Sequence, residues 1–199
     1  KNNVNVVIAS NSDWVVPAGL EERRFFTVDV SDCYKGNYDF FKKLAAQMNN
    51  GGREAMLYDL QEMDISGINL RDFERTDALL EQIIESMTLV QRWWFVQLGR
   101  GAIKYSNNSG FETQRDEWPT VIPNSRLYEN FELFVAKMKG YLPVEAVFGK
   151  QLNKLIKPEF VRVLFADNGP RVRARVIPPL ADCRKAFENL ISMPVDWDD

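Results

Sequence analysis

The chain contains no histidine. That absence removes the commonest general base and the Ser–His and Cys–His pairs of nucleophilic hydrolases, so stand-alone hydrolysis of that kind is excluded. Cysteine is nearly as scarce. Cys33 and Cys183 are far apart in sequence, which gives no disulfide framework and fits a reducing compartment, so a cytoplasmic location is expected. Without histidine or a C-x-x-C pair, a zinc site is not expected either. No apolar run approaches the ~20 residues that span a bilayer, and no basic segment leading into an apolar one marks an export signal. Positive charge is not in excess: the net charge is −3, so any surface for nucleic acid must be local.

What is present is ordinary globular material. The 199 residues are 45% hydrophobic and 27% charged, enough to bury one large core or two small ones. The first thirty residues carry the sharpest pattern. An apolar run, Val4 to Ala9, stops at Ser10-Asn11; after a loop around Pro17-Ala18-Gly19, Arg23-Arg24 opens a second run, Phe25 to Val30. Both runs read as short buried strands. An Asn at a strand end can orient a water or a phosphate oxygen, and an arginine neutralises charge on a transferring phosphoryl group. On spacing alone, a turn and a surface arginine pair remain an equal alternative.

Residues 4–31, with the string VVIASNSDWVVPAGLEERRFFTVDVS at their heart, resemble the end of the ATPase core of superfamily-3 helicases, in the branch of phage and poxvirus-type primase-helicases. The resemblance implies that Asn11 is the sensor-1 residue and Arg24 the arginine finger, with Arg23 the lesser candidate. It also implies ATP and Mg²⁺ as cofactors of a full-length hexamer that unwinds DNA. The chain has no G-x-x-x-x-G-K-[ST]: Gly51-Gly52-Arg53 and Gly99-Arg100-Gly101 both lack the lysine–hydroxyl pair that cradles phosphate and Mg²⁺. It therefore reads as the C-terminal piece of a longer protein, inactive as an ATPase alone and binding no cofactor by itself.

After Tyr38 the period becomes helical. Phe40, Phe41, Leu44, Ala45 and Met48 form one stripe, closed by Asn49-Asn50-Gly51-Gly52. Ala55, Met56, Tyr58, Leu60 and Met63 are candidate buried positions of a second helix. Leu79, Leu80, Ile83, Ile84 and Met87 form a third stripe, and Thr88 with Gln91 makes a capping box for a core helix carrying Trp93, Trp94, Phe95 and Leu98. Residues 100–123, polar and punctuated by Pro119 and Pro123, read as a linker. Beyond it, Asn124 or Ser125 caps a helix closed by Gly140, and Pro143 opens another, whose Gly149 predicts a close packing contact. Two alternating runs, Phe160 to Ala166 and Arg171 to Ile177, flank the turn Asp167-Asn168-Gly169-Pro170, and a last helix starts near Ala181. The expected class is mixed α/β, mainly α: core strands and a helical region over 1–99, the linker, then a winged-helix domain over 124–193.

Residues 137–175 hold nine basic side chains against three acidic ones, within a chain that is acidic overall. Lys150 and Lys154 share a helix face, Lys157 follows, and Arg171, Arg173 and Arg175 alternate onto one side of a strand. Such a patch suits phosphate-backbone contact with weak sequence preference; a solvated edge that deters sheet aggregation is the plainer reading. Two functions follow. One is the C-terminal part of a mobile-element replication primase-helicase, and the other a non-enzymatic DNA-binding or assembly module. In either case the run 4–9 is expected to pair with 25–30 or with a second copy of the chain.

Overall fold

A computed structural model describes residues 6–69, 75–107, 113–138, 140–164 and 170–197. The chain is mixed α/β and mainly helical. It divides into two compact units, residues 23–79 in one and residues 1–22 with 80–199 in the other.

In the unit 23–79, Asn37 caps the first helix by accepting from the Phe40 amide at 3.1 Å, and α1 (Tyr38–Gln47) follows. The helix runs on to a kink where Asn50 leaves helical geometry and Gly51 takes φ +85°, the left-handed value that glycine allows. α2 (Arg53–Glu62) starts beyond it. The expected helix pair and glycine break are therefore present, but the expected burial is not. Met56 and Tyr58 are 54% and 64% exposed, and none of the described residues from Arg23 to Thr76 is buried.

Neither N-terminal run is a strand. Residues 6–9 and 25–30 are irregular, with Val7 97% exposed and Phe26, Val28 and Val30 also open. The expected pairing of 4–9 with 25–30 is absent among the described residues, Val4 and Asn5 lying outside them. A β-branched run becomes a strand only where a neighbour takes its backbone hydrogen bonds. Here the Thr27 carbonyl accepts instead from the hydroxyl of Thr76, which also accepts from the Leu79 amide at the start of α3 (Asp77–Glu85).

The larger unit is built around α4 (Leu89–Arg100). Its capping box is complete: the Thr88 hydroxyl accepts from the Gln91 amide and the Gln91 side chain accepts from the Thr88 amide. Gly101, at φ +62°, ends it. Val90, Trp93, Trp94 and Leu98 are buried, so the aromatic run is core. The stretch 100–123 is not a free linker. It carries an antiparallel hairpin, β1 (Ile103–Asn107) with β2 (Thr113–Glu117), then β3 (Val121–Pro123). Among its described side chains, Ile103 and Ile122 are fully buried apolar anchors, while Trp118 packs at a tilt against Trp94 and donates to the Pro178 carbonyl at 2.8 Å.

α5 (Asn124–Met138) and α6 (Glu145–Leu155) follow, then β4 (Phe160–Leu164), β5 (Arg171–Val176) and α7 (Leu180–Ile191). β3, β5 and β4 form one antiparallel sheet in that order; the expected turn at 167–169 lies outside the described residues. Phe131 of α5 packs between Trp93 and Phe148 of α6, with ring centroids 6.0 and 4.7 Å away. A polar relay crosses this core: Trp93 donates to Asn130 Oδ1, and Asn130 Nδ2 to the Lys104 carbonyl, each at 2.7 Å. α7 closes the unit through Cys183, Phe187 and Ile191, and Arg184 Nε donates to the Leu98 carbonyl at the end of α4.

Two local expectations fail. A side chain added at Gly149 would meet nothing within 4 Å, so no packing contact demands the glycine. Asn124 is the first residue of α5, yet its buried Oδ1 accepts no hydrogen bond from the described residues and so does not act as a cap.

Candidate nucleic-acid interface

The register of the three-stranded sheet fixes which side chains share a face. Phe160 lies opposite Arg175, Arg162 opposite Arg173, and Leu164 opposite Arg171. Partners directly opposite in an antiparallel pair point to one side, so Arg162, Arg171, Arg173 and Arg175 form one basic face with Phe160. Arg162 and Arg173 are like charges in the closest cross-strand position, an arrangement that destabilises unless solvent or an anion screens it. Arg162, Arg171 and Arg173 are exposed. Lys150 and Lys154 on α6, and Lys157 just after it, are exposed as well.

Arg175 departs from the expected solvated row. It is only 3% exposed. Its Nη2 donates to Asn153 Oδ1 of α6 at 2.7 Å, while Nε and Nη1, both buried, donate to no acceptor among the described residues. The Phe160 ring lies beside it: the guanidinium carbons of Arg173 and Arg175 are 3.8 and 4.8 Å from the ring centroid. Burial first, and the Arg173 charge second, push the Arg175 guanidinium down to about 10, so it remains a cation at neutral pH. A buried cation lacking a carboxylate partner is costly, and ring contacts offset only part of that cost.

Arg175 lies on a cleft of about 470 Å³. Lys150 and Arg173 also line it, as do Asn124, Asn153, Gly149 and the start of α6 at Glu145 and Ala146. No side chain caps α6, since Val144 precedes it; of its first-turn amides, that of Val147 donates to the Val144 carbonyl at 2.9 Å. Gly149, where a Cβ would meet nothing within 4 Å, is one of its lining residues.

The N-terminal candidates are placed differently. Asn11 is exposed in an irregular bend of the larger unit. The chain just after it is clamped by Gln82 of α3: Gln82 Nε2 donates to the Asp13 carbonyl at 2.6 Å, and its Oε1 accepts from the Val15 and Val16 amides at 2.7 and 3.2 Å. Ser86 Oγ accepts from the Trp14 indole and the Ala18 amide at 2.9 and 3.1 Å. Arg23 and Arg24 are exposed residues of the other unit, and Glu22 before them is buried.

Sequence reasoning missed Gln82, Asn153 and Phe160. Gln82 left a trace, as a lone amide inside the Leu79–Ile83 stripe. Asn153 and Phe160 left none, because their roles depend on strand register and on where α6 crosses the sheet. Among the described residues no group of three or more cysteine or carboxylate side chains is gathered as for a metal ion. No protein-family model, curated protein or solved structure matches the chain.

Proposed function

We propose that the larger unit is a winged-helix module that grips the DNA duplex backbone, with α6 as the helix laid against DNA and β4–β5 as the wing. The observation that carries this reading is the order β3, α5, α6, β4, β5 with the sheet arranged β3-β5-β4, joined to exposed basic side chains on both α6 and β5, of which Lys150 and Arg173 line one cleft. Lys150, Lys154 and Lys157 come from the helix side and Arg171 and Arg173 from the strand side. Phosphate contacts made by such side chains fix position and carry little sequence information. Arg175 contributes charge from beneath the surface.

The module serves a DNA-replication primase-helicase as its C-terminal part. This second half of the reading is supported by the resemblance over residues 4–31 and by the exposure of Arg24. An arginine finger must leave its own subunit to reach a nucleotide, ATP with Mg²⁺, held by the next copy in a hexameric ring. The other use of the same module, DNA binding or assembly without a motor, needs the basic side chains alone.

Fluorescence anisotropy with a labelled duplex tests the first half. Binding should weaken steeply with salt, and Arg171→Glu with Arg173→Glu should lower the log–log salt slope by roughly 2. Absence of binding at low salt overturns it. For the motor, Arg24→Ala in the helicase should abolish DNA-stimulated ATP hydrolysis while nucleotide still binds; normal turnover removes the finger role.

A further inference from the structure

Asn124 and Arg175 both line the cleft beside α6, and each holds a buried polar atom that has no partner among the described residues. Arg175, nine-tenths and more buried, offers Nε and Nη1 with no acceptor, and Asn124 offers a buried Oδ1 with no donor. Leaving either group unsatisfied costs free energy that a fitting ligand would recover. Arg175 and the first turn of α6 favour an oxyanion, and Lys150 and Arg173 add two further cations against the carboxylate of Glu145. The Asn124 acceptor asks for more than a backbone phosphodiester supplies, since a diester carries no O–H: the ligand must also bring an N–H or O–H, as a nucleobase or a sugar does. About 470 Å³ is far more than a lone phosphate fills and falls within the range of small-ligand clefts.

We propose that the cleft holds one unstacked nucleotide of a single DNA strand, with its phosphate against Arg175 and its base or sugar donating to Asn124. A base in a duplex is stacked and its pairing edge is occupied, so an unpaired or terminal nucleotide is the form that fits. The inference rests on the DNA-binding reading and deepens it: the exposed lysines and arginines hold duplex backbone, while the cleft takes the strand that leaves it.

The test uses the full chain with thymidine 5′-monophosphate and, separately, inorganic phosphate, followed by the NMR signal of the Arg175 Nε–H. The nucleotide should shift that signal, and it should bind about tenfold more tightly than inorganic phosphate, the worth of one well-made hydrogen bond. Gly149→Glu places a carboxylate into space where nothing lies within 4 Å of a Cβ. It should abolish the shift while the remaining amide spectrum stays that of the folded chain. The same variant should bind an unlabelled single strand about tenfold less well. No shift with the nucleotide, or equal affinity for inorganic phosphate, overturns the nucleotide site. Unchanged single-strand binding by Gly149→Glu overturns it and leaves the duplex reading standing. A nucleotide-induced shift in a chain that binds single-stranded but not duplex DNA does the reverse, removing the duplex reading and keeping the cleft.

Discussion

The helices of residues 38–62 and those of residues 89–155 begin from similar sequence patterns and end in opposite states. α1 and α4 both have a side-chain N-cap, and both are closed by a glycine with positive φ. Yet α4 buries Val90, Trp93, Trp94 and Leu98, whereas α1 and α2 bury nothing. The difference lies in what returns to cover the stripe. α5, α6 and α7 bring Phe131, Phe148 and Phe187 back to the α4 aromatics; among the described residues of 23–79 there is no sheet and no third complete α-helix. Caps and glycines thus decide where helices begin and end, and burial decides how much stability they contribute. Isolated helices of about ten residues are marginal in water whatever their caps.

The strongest way to break that contrast is truncation of one aromatic side chain in each region. Trp93→Ala removes a fully buried ring that contacts Trp94, Phe131 and Phe148, and should lower the unfolding free energy by about 3–5 kcal/mol. Tyr58→Ala acts on an exposed position of α2 and should change it by less than about 0.5 kcal/mol. Urea unfolding followed by far-ultraviolet circular dichroism checks both. A comparable loss from Tyr58→Ala would mean that residues 23–79 share the cooperative core.

The same contrast explains what could be read from the sequence. Features set by neighbours three or four residues apart were legible: the Thr88–Gln91 capping box, the Gly51 break, the stripes of α3 and α4, and the alternation of arginines along β5. Features set by distant partners were not. The run at residues 6–9 has strand composition without a strand beside it. The stretch 100–123 has a polar composition, and its hairpin is set by strand pairing rather than by a local apolar pattern. Alternation placed Arg171, Arg173 and Arg175 on one face, but only the crossing of α6, through Asn153, decides that Arg175 is the covered one. The cleft is illegible for the same reason, since its lining comes from α5, α6, β4 and β5 together.

The two cysteines divide between the regions and give a gentler probe. Cys33 is exposed and Cys183 is buried. Burial, and secondarily the charge of Asp182, push the Cys183 thiol up from 9.0 to about 11. A thiol reagent at neutral pH should modify Cys33 at once and Cys183 only as the core opens, because the thiolate is the reactive form. The sign of the pH effect follows. Between pH 9.0 and about 11 the unfolded chain loses the Cys183 proton while the native chain keeps it, so this group's contribution to stability falls across that window. Cys183→Ala should flatten that part of the curve; an unchanged slope would show that the thiol is not the group responsible.

Glycines supply the smallest contrast and the one with opposite signs. Gly149 sits inside α6 with open space where a Cβ would go, so Gly149→Ala should gain up to about 1 kcal/mol from helix propensity alone. Because α6 packs Phe148 and Leu152 into the core, that gain should appear in global unfolding. Gly51 has φ +85° and also has open space, so the penalty for Gly51→Ala is conformational rather than steric, about 1–2 kcal/mol. It falls on a pair of helices that bury nothing, so it should appear as faster amide exchange across residues 38–62 and leave the urea midpoint of the core where it was. If both substitutions moved the midpoint, helix geometry in 23–79 would be coupled to the core, and cover alone could no longer account for the difference between the regions.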